Sequence, residues 1–311
     1  MTDRELLYIV TIEEERNVTH AAERLHVAQP SLTQCLRRIE SELGCPLFVR
    51  RKYGLDPTPA GNLYVEMARD VLGRMERFRT DVAKLLNPEG GLLRLGASWY
   101  NTMLFLPEAV SAFSAAFPGV ELQLTEKGTG GLLSLLSDHK LDAMLAHGYP
   151  REFPGSRKET AKDVRREALM DEAFCLVAHR RFALPEDLGD GAALSGMPFI
   201  AFNEGQRIRA ITDFALANAG IAVQRVVLTQ SFPGALELAE RGVGLTILPV
   251  HYVRRNLAAK PVLSSYSLPS SWHAYWTTSM LWREGEYPNR LVHGLLPILR
   301  DAVTKLKADE P

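Results

Sequence analysis

A long segment without helix-breaking residues constrains this chain most. Between Gly61 and Pro88 it contains one further glycine, Gly73, and no proline. Because glycine and proline disfavour helices most, the segment predicts one long helix, for which Thr58 can supply the N-cap and Pro59 the first position. Such a helix divides the 311 residues into a short first block and a large remainder, enough for two or three domains.

The predicted helix carries one narrow apolar stripe. Its apolar positions are separated alternately by four and three residues, and they are Tyr64, Ala68, Val71, Met75, Phe78, Val82 and Leu85. This is the spacing of a heptad seam, which packs one helix against another. A helix inside a single domain would need a broader apolar face, so the seam predicts a contact between subunits. The alternative is a helix packed on its own chain.

The first block predicts two short helices followed by a third with two contrasting faces. Apolar residues between 3 and 15 suit the first helix, and Thr19 is a candidate N-cap for the second. One side of the third helix, within about 60° of arc, is apolar and consists of Leu32, Leu36, Ile39 and Leu43. The opposite side is polar and carries Pro30, Gln34, Arg37 and Ser41. Two short helices, a tight turn and such a third helix predict a helix-turn-helix.

The polar side of the third helix suits nucleic acid. Gln and Arg side chains pair bidentately with adenine and guanine edges, and short hydroxyls allow close approach. Further on, Arg50, Arg51 and Lys52 cluster at a predicted hairpin tip, which can lie on phosphates or reach a minor groove. The alternative is an ordinary solvated surface, since acidic residues 13 to 15 offset the arginines and the net charge is −1.

The motif AAERLHVAQPSLTQCLRRIESELGCPLFVRRKYGLDPTPAG resembles the N-terminal domain of LysR-type transcriptional regulators, over residues 3 to 61. The resemblance implies a winged helix-turn-helix whose Gln-Pro-Ser helix enters the major groove of double-stranded DNA, and a long helix that dimerises. The DNA-contacting residues it implies are Gln29, Pro30, Ser31, Thr33, Gln34, Arg37 or Arg38, Arg50, Arg51 and Lys52, and the choice between Arg37 and Arg38 stays open. The sequence departs from the family pattern at Gln34, which bears on sequence preference, and at Asp56 and Pro57.

After residue 91, short apolar runs alternate with helical ones, which predicts α/β architecture with largely parallel sheets. The runs LRLGAS, KLDAMLAHG and ERGVGLTILP resemble the effector domain of the same family, which implies two α/β lobes like those of periplasmic binding proteins. The expected multidomain organisation is a winged helix-turn-helix at 1–58, a linker and dimerisation helix at 59–88, and an effector-binding domain at 91–305, with lobe I at 91–165 and 268–305 and lobe II at 166–267.

In such folds the ligand lies between the lobes, at the carboxyl ends of strands and the amino ends of helices. The candidate effector-binding residues at these places are Ser98, Trp99, Asn101, Thr102, Lys127 and Thr129 in lobe I, and Phe202, Asn203, Gln206, Thr229, Gln230 and Phe232 in lobe II. Helix amino ends favour anions, so the sequence favours a small carboxylate, including an aromatic one. For each single residue the alternative is helix capping or core packing.

Other classes of protein find little support. No apolar run reaches the roughly 18 residues of a membrane span, and the acidic N-terminus lacks the pattern of a signal peptide. The three cysteines, Cys35, Cys45 and Cys175, have no metal or redox spacing and suit a reducing cytoplasm. The sequence has no nucleophile elbow, P-loop, dinucleotide fingerprint or metal-binding histidine spacing, so we expect no catalytic residue, metal or cofactor.

The sequence as a whole indicates a cytoplasmic LysR-type regulator that binds palindromic promoter sites and responds to a small-molecule effector. Its expected partners are double-stranded DNA, the effector and further copies of the chain, as a homodimer through the linker helix and as a homotetramer, with RNA polymerase as a further candidate. The competing hypothesis is a small-molecule-binding protein or enzyme whose N-terminal helices serve only assembly. The basic hairpin and the outward-facing Gln and Arg residues argue against it.

Overall fold

The computed structural model describes residues 2–51, 54–86, 90–156, 164–189, 191–283 and 289–308. The chain divides into two compact units, and each has its own hydrophobic core. The first unit comprises Met1–Leu92 and Ser134–Leu141, and the second comprises Leu93–Leu133 and Asp142–Pro311. Among the described residues, no helix is both long and apolar enough to cross a membrane.

The first unit contains the predicted three helices, a hairpin and the long helix. Its elements are α1 (Asp3–Glu15), α2 (Val18–Arg24), α3 (Gln29–Leu43), β1 (Phe48–Arg51), β2 (Gly54–Pro57) and α4 (Pro59–Leu86). Strands β1 and β2 pair antiparallel, with Arg51 opposite Gly54 at the tip. The predicted winged helix-turn-helix is thereby confirmed.

Short polar side chains set where these helices begin. The hydroxyl of Thr58 accepts the N–H of Gly61 at 3.0 Å, which caps α4 as the sequence predicted. The predicted cap of α2 is wrong, because the Oδ1 atom of Asn17 accepts the N–H of Thr19 at 2.8 Å. Helix α2 therefore begins at Val18, one residue before Thr19, which lies in its first turn.

The hairpin is fixed to the end of α3 by a side chain of the family motif. The Oε1 atom of Glu40 accepts the N–H groups of Leu47 at 2.7 Å and Phe48 at 3.3 Å. The start of α4 closes on the same segment, since a Cβ atom at Gly61 would lie 2.0 Å from the carbonyl oxygen of Leu47. Only glycine permits this approach, so the hairpin, α3 and α4 are held in one arrangement.

The second unit alternates strands and helices. Its strands are β3 (Gly90–Ala97), β4 (Gly119–Glu126), β5 (Ala143–Gly148), β6 (Val164–His179), β7 (Pro198–Phe202), β8 (Gln224–Thr229), β9 (Thr246–Pro249), β10 (Leu263–Ser267) and β11 (Tyr275–Arg283). Its helices are α5 (Trp99–Leu104), α6 (Leu106–Ala116), α7 (Thr129–Ser137), α8 (Arg207–Asn218), α9 (Phe232–Glu240), α10 (Val250–Leu257) and α11 (Arg290–Ala308). The first residues of β3, up to Leu92, and the last residues of α7, from Ser134, fall in the ranges of the first unit.

One long strand, β6, runs through both lobes of this unit. From residue 164 to 173 it pairs antiparallel with β11, which also pairs with β5 of lobe I. From residue 174 to 179 it pairs instead with β9 and β10 of lobe II. The chain therefore changes lobes between residues 173 and 174, inside the range 166–267 that the sequence placed in lobe II. The second crossing lies between β10 and β11.

The sequence predicted largely parallel sheets, and this prediction is wrong, because the sheets are mixed. Strands β3 and β5 are parallel, and so are β7 and β8. Strand β11 returns antiparallel between β5 and β6, and both β9 and β10 run antiparallel to β6. The physical reason is the double crossing, because the chain leaves lobe I along β6 and must return to it in the opposite direction, which is the direction of β11.

Candidate functional site

The outer face of α3 is polar and accessible. Its buried residues are Leu32, Cys35, Leu36 and Ile39, while Leu43, predicted to be buried, is 50% exposed. Five of the residues predicted to contact DNA lie exposed on the other side, namely Gln29, Pro30, Ser31, Gln34 and Arg37. Their side chains are therefore available to a partner.

Two further predicted residues of α3 are engaged within the chain. The hydroxyl of Thr33 donates to the carbonyl oxygen of Gln29 at 3.0 Å, one turn earlier on the same helix. Arg38 forms an ion pair with Glu5 of α1 and also approaches the sulfur of Cys35. The sequence left open whether Arg37 or Arg38 faces outward, and the pairing of Arg38 favours Arg37.

The hairpin carries the remaining predicted cations. Arg50 lies on its exposed surface, and Arg51 is exposed but lies 3.8 Å from a carboxylate oxygen of Asp56. That exposed pair is worth little energetically, so Arg51 remains able to contact another anion. Lys52 lies outside the described residues.

The apolar seam of α4 divides into two halves. Tyr64 and Ala68 are buried in the core of the first unit, where α4 packs on α1, so this half matches the alternative that the sequence left open. Farther along, Met75, Phe78 and Val82 are 37%, 68% and 36% exposed. The side chain of Leu85 lies outside those described. The second half of the seam therefore presents apolar surface that its own unit does not cover.

The second unit contains a cavity of about 780 Å³, here called the effector cleft, between its two lobes. That volume is typical of sites for small organic ligands. Seven of the twelve predicted effector residues line it, namely Ser98, Trp99, Lys127, Thr129, Gln206, Gln230 and Phe232. They come from the beginnings of α5, α7, α8 and α9, as the strand-to-helix rule predicts.

The other five predicted residues do not line the cleft. Asn101 and Phe202 are buried in the core, because each faces inward from its element. The hydroxyl of Thr102 donates to the carbonyl oxygen of Ser98 at 3.1 Å within α5. The hydroxyl of Thr229 accepts the N–H of Ser231, and the backbone N–H of Asn203 donates to the carbonyl oxygen of Thr229 at 3.0 Å. For these residues the alternative of capping or packing is the better description.

Sequence reasoning missed several residues that line the cleft, among them Tyr100, His147, Tyr149, Arg207 and Trp276. His147 and Tyr149 lie at the carboxyl end of β5, and Arg207 follows Gln206, so the rule that found the others could have found these. Trp276 lies on β11, just after the chain has returned to lobe I, and the sequence offers no local signal for its place in the cleft.

His147 is held between two hydroxyl groups. Its Nε2 atom lies 3.2 Å from Oγ of Ser98, and its Nδ1 atom lies 3.1 Å from Oγ1 of Thr278. The ring stacks on Trp276, with 3.9 Å between centroids. Burial, aided by the positive charge of Arg207, lowers the pKa of His147 to about 3. The imidazole is therefore neutral at physiological pH, accepts from one hydroxyl and donates to the other.

Below the cleft, the buried carboxylate of Glu172 joins both lobes. It accepts the hydroxyl of Tyr100 at 2.5 Å and the indole N–H of Trp276 at 2.8 Å. It also accepts the backbone N–H of His251, at the start of α10 in lobe II, at 3.2 Å. Burial and the negative charge of Glu172 raise the pKa of Tyr100 well above its ordinary value, so its phenol remains a donor. These three donors stabilise a charge that would otherwise be costly to bury.

Charged and aromatic groups share the cleft. Lys127 enters from lobe I and Arg207 from lobe II, and Glu126 is the acidic residue among the described ones that line it. The guanidinium of Arg207 lies 3.8 Å from the ring centroid of Tyr149, a cation–π contact. Trp99 and Phe232 meet edge to face across the lobes, with 5.1 Å between centroids.

Both parts of the chain match profiles of one family. Residues 4–62 match the profile described as "Bacterial regulatory helix-turn-helix protein, lysR family", and residues 87–304 match "LysR substrate binding domain". Among curated proteins, the chain is 26% identical to the transcriptional regulator CfxR of Cupriavidus necator, over 81% of this chain and 76% of that protein.

Solved structures agree in fold. A mutant of OxyR from Corynebacterium glutamicum matches with a TM-score of 0.60 and 25% identity, covering 99% of this chain and 93% of that one. Full-length CbnR, complexed with its target DNA, matches with a TM-score of 0.61 and 22% identity, covering 98% of this chain and 100% of that one. The chain therefore belongs to the LysR family of bacterial transcriptional regulators, with a DNA-binding helix-turn-helix followed by an effector-binding domain.

Proposed function

We propose that this regulator binds palindromic promoter sites as a homo-oligomer joined through α4, and that a small carboxylate in the effector cleft changes the geometry of the assembly. One recognition helix reads too few bases for useful specificity, whereas a two-fold dimer reads two half-sites. The exposed apolar side chains of Met75, Phe78 and Val82 support a helix contact between copies.

The carboxylate is supported by one observation above all. Lys127 and Arg207 bring a positive side chain from each lobe to a cleft that is otherwise rich in aromatic rings. An anion that contacts both would favour the arrangement of the lobes that brings them together, and it can do so only by its differential affinity for that arrangement. An aromatic carboxylate would in addition stack against Trp99 or Phe232.

We infer no catalytic role for the Ser98–His147 pair. In serine hydrolases a carboxylate orients the histidine, whereas here Thr278 contributes a neutral hydroxyl. A histidine whose pKa is about 3 is also a poor base for serine near neutral pH. We propose no metal or cofactor for this cleft. We further propose cytoplasmic DNA as its target and RNA polymerase as a partner at the promoter.

A thermal-shift screen of the full chain tests the effector class. Aromatic and aliphatic carboxylates are compared with the corresponding neutral amides, which keep the shape and remove the charge. A carboxylate that binds raises the melting temperature in proportion to its occupancy. We expect that shift to disappear in Lys127→Ala and Arg207→Ala and to persist in Thr102→Val, whose hydroxyl bonds within α5. Equal shifts by acid and amide would contradict a charge-selective cleft.

Selection from a random pool of DNA duplexes tests the DNA site. We expect the recovered sequences to contain two inverted half-sites at a fixed spacing. Recovered sequences with a single half-site, or without symmetry, would contradict a two-fold dimer on DNA.

A further inference from the structure

A second cavity, of about 730 Å³, lies in the second unit. None of the described residues that line it also lines the effector cleft. We call it the basic pocket, because Arg180, Arg254, Arg255 and Lys260 line it. It is formed by α10, the turn that leads to β10, the end of β6 and the last turns of α11.

The charges around the basic pocket are one-sided. No aspartate or glutamate is among the described residues that line it. Lys260 is neutralised by Glu237 and Glu240, which lie behind the lining on α9. For Arg180, in contrast, the described part of the chain supplies no carboxylate within salt-bridge distance. Arg180 therefore presents a positive charge to whatever enters the pocket.

Apolar residues also line the basic pocket. They are Leu257 of α10, Leu263 of β10 and Leu306 of α11, of which Leu263 is buried and the other two are partly exposed. Exposed apolar surface beside a cluster of guanidinium groups is suited to a ligand with an anionic head and a hydrocarbon body. Inorganic anions would satisfy the cations but leave the leucines in contact with water.

We propose that the basic pocket is a second binding site, for an organic anion with an apolar body, separate from the effector cleft. Arg180 and Arg254 hold its head group, and the partly exposed Leu257 and Leu306 cover its body. The site goes beyond the response through the effector cleft and does not depend on the identity of the ligand bound there.

Two contacts connect the basic pocket to the walls of the effector cleft. Arg255 donates to the carbonyl oxygens of Met103 at 2.9 Å and Leu104 at 2.8 Å, at the end of α5, whose first residues line the cleft. His251 lines the basic pocket, and its backbone N–H bonds to Glu172. An anion that draws Arg255 away from α5 would therefore act on a wall of the cleft from behind.

Calorimetric titration of the full chain with octanoate tests the proposal. The titration is done in Arg207→Ala, which lacks the cleft cation of lobe II, so that binding in the effector cleft is weakened. We expect one saturable binding event for octanoate. Acetate keeps the carboxylate without the hydrocarbon chain, and 1-octanol keeps the chain without the charge, so each should bind at least about tenfold more weakly.

Charge-reversal variants then test whether octanoate binds in the basic pocket. We expect Arg180→Glu to weaken octanoate at least about tenfold, because it replaces an attractive charge by a repulsive one. Arg225→Glu is the matched control, since Arg225 is exposed on β8 and does not line the basic pocket. Leu306→Asn, which keeps every charge, should also weaken octanoate. Absence of saturable binding, equal loss in both charge reversals, or binding unaffected by Arg180→Glu and Leu306→Asn would each overturn the proposal.

Discussion

The Nε2 atom of His147 lies 3.2 Å from the hydroxyl oxygen of Ser98, at the wall of the effector cleft. This contact couples the protonation of a buried imidazole to the direction in which a lining hydroxyl points. A neutral ring can accept from Ser98 or donate to it, whereas an imidazolium can only donate. Burial keeps the ring neutral, so Ser98 retains both orientations for an effector.

The buried imidazole predicts a dependence of stability on pH. His147 in the folded chain has a pKa of about 3, against 6.5 ordinarily, so between these values the unfolded chain binds more protons. The free energy of unfolding should therefore fall as the pH is lowered from 6.5 toward 3, by up to about 1.4 kcal/mol per pH unit for this one group. Urea unfolding between pH 6.5 and 4.5 measures the slope.

Substitution isolates the share of His147 in that slope. His147→Gln should make it shallower, whereas His293→Gln, at an exposed site on α11, serves as the control. An identical slope in the His147 variant and the wild type would show that other groups carry the effect.

The outer face of α3 predicts base-specific losses on DNA. Gln29→Ala and Gln34→Ala should weaken binding to the cognate site by about 1–3 kcal/mol and change non-specific binding little. Fluorescence anisotropy with cognate and scrambled duplexes measures both. Arg38→Ala is the matched control, since Arg38 pairs with Glu5 and should leave sequence preference unchanged. Equal losses on all duplexes for the glutamine variants would remove them from base readout.

The hairpin predicts a different signature. Arg50→Ala should weaken binding to cognate and scrambled DNA alike and reduce the salt slope by about one unit, the loss expected for one phosphate contact. Arg51→Ala should do less, because Arg51 already lies near Asp56. The slopes are read from affinities measured over a range of salt concentrations, and an unchanged slope for Arg50→Ala would place that side chain away from the phosphates.

The exposed half of the α4 seam predicts that two copies of the chain associate through this helix. Phe78→Lys places a charge where an apolar contact is proposed and should dissociate the linker-mediated dimer, since burying the charge is costly. Leu63→Lys is a closely matched control, because Leu63 also lies on α4 and is 70% exposed, against 68% for Phe78, but lies off the seam. Light scattering distinguishes the two. The same mass for wild type and Phe78→Lys would assign the seam to something other than the dimer.

Two threonines in lobe I should behave differently toward the effector. Thr129 lines the cleft, so Thr129→Val should weaken the response about five- to tenfold, the equivalent of about 1 kcal/mol for one lost hydrogen bond. Thr102→Val should leave the response unchanged, since its hydroxyl bonds to Ser98 within α5. Dose–response curves for effector-dependent DNA binding measure both. A loss confined to Thr102→Val would place the ligand elsewhere.

The sequence predicted most accurately what local rules decide. The three helices, the hairpin and the long helix of the first unit follow from caps, breakers and apolar spacing within a few residues of each other. The division of the α4 seam into a buried and an exposed half does not follow from such rules. Whether Tyr64 is buried by α1 or by another copy depends on contacts between elements that are distant in sequence. Arg38 illustrates the same point, since its partner Glu5 is remote in sequence.

In the cleft, the strand-to-helix rule selected Ser98, Lys127, Thr129 and Gln206, and these residues line its wall in the structure. The rule gives the turn but not the direction of each side chain, so Asn101 and Phe202 were assigned to the cleft although they face the core. Glu172 was missed altogether. Its three donors come from α5, α10 and β11, and no local pattern indicates that they meet.

Strand β6 has a consequence for how the second unit loses its structure. Opening either lobe removes the ladder partners of one half of the same continuous strand and exposes the carboxylate of Glu172, whose donors come from both lobes. A local opening on one side therefore weakens the other, and the two lobes form a single cooperative folding unit. We therefore expect amide hydrogens on both halves of β6 to exchange with solvent through the same opening event.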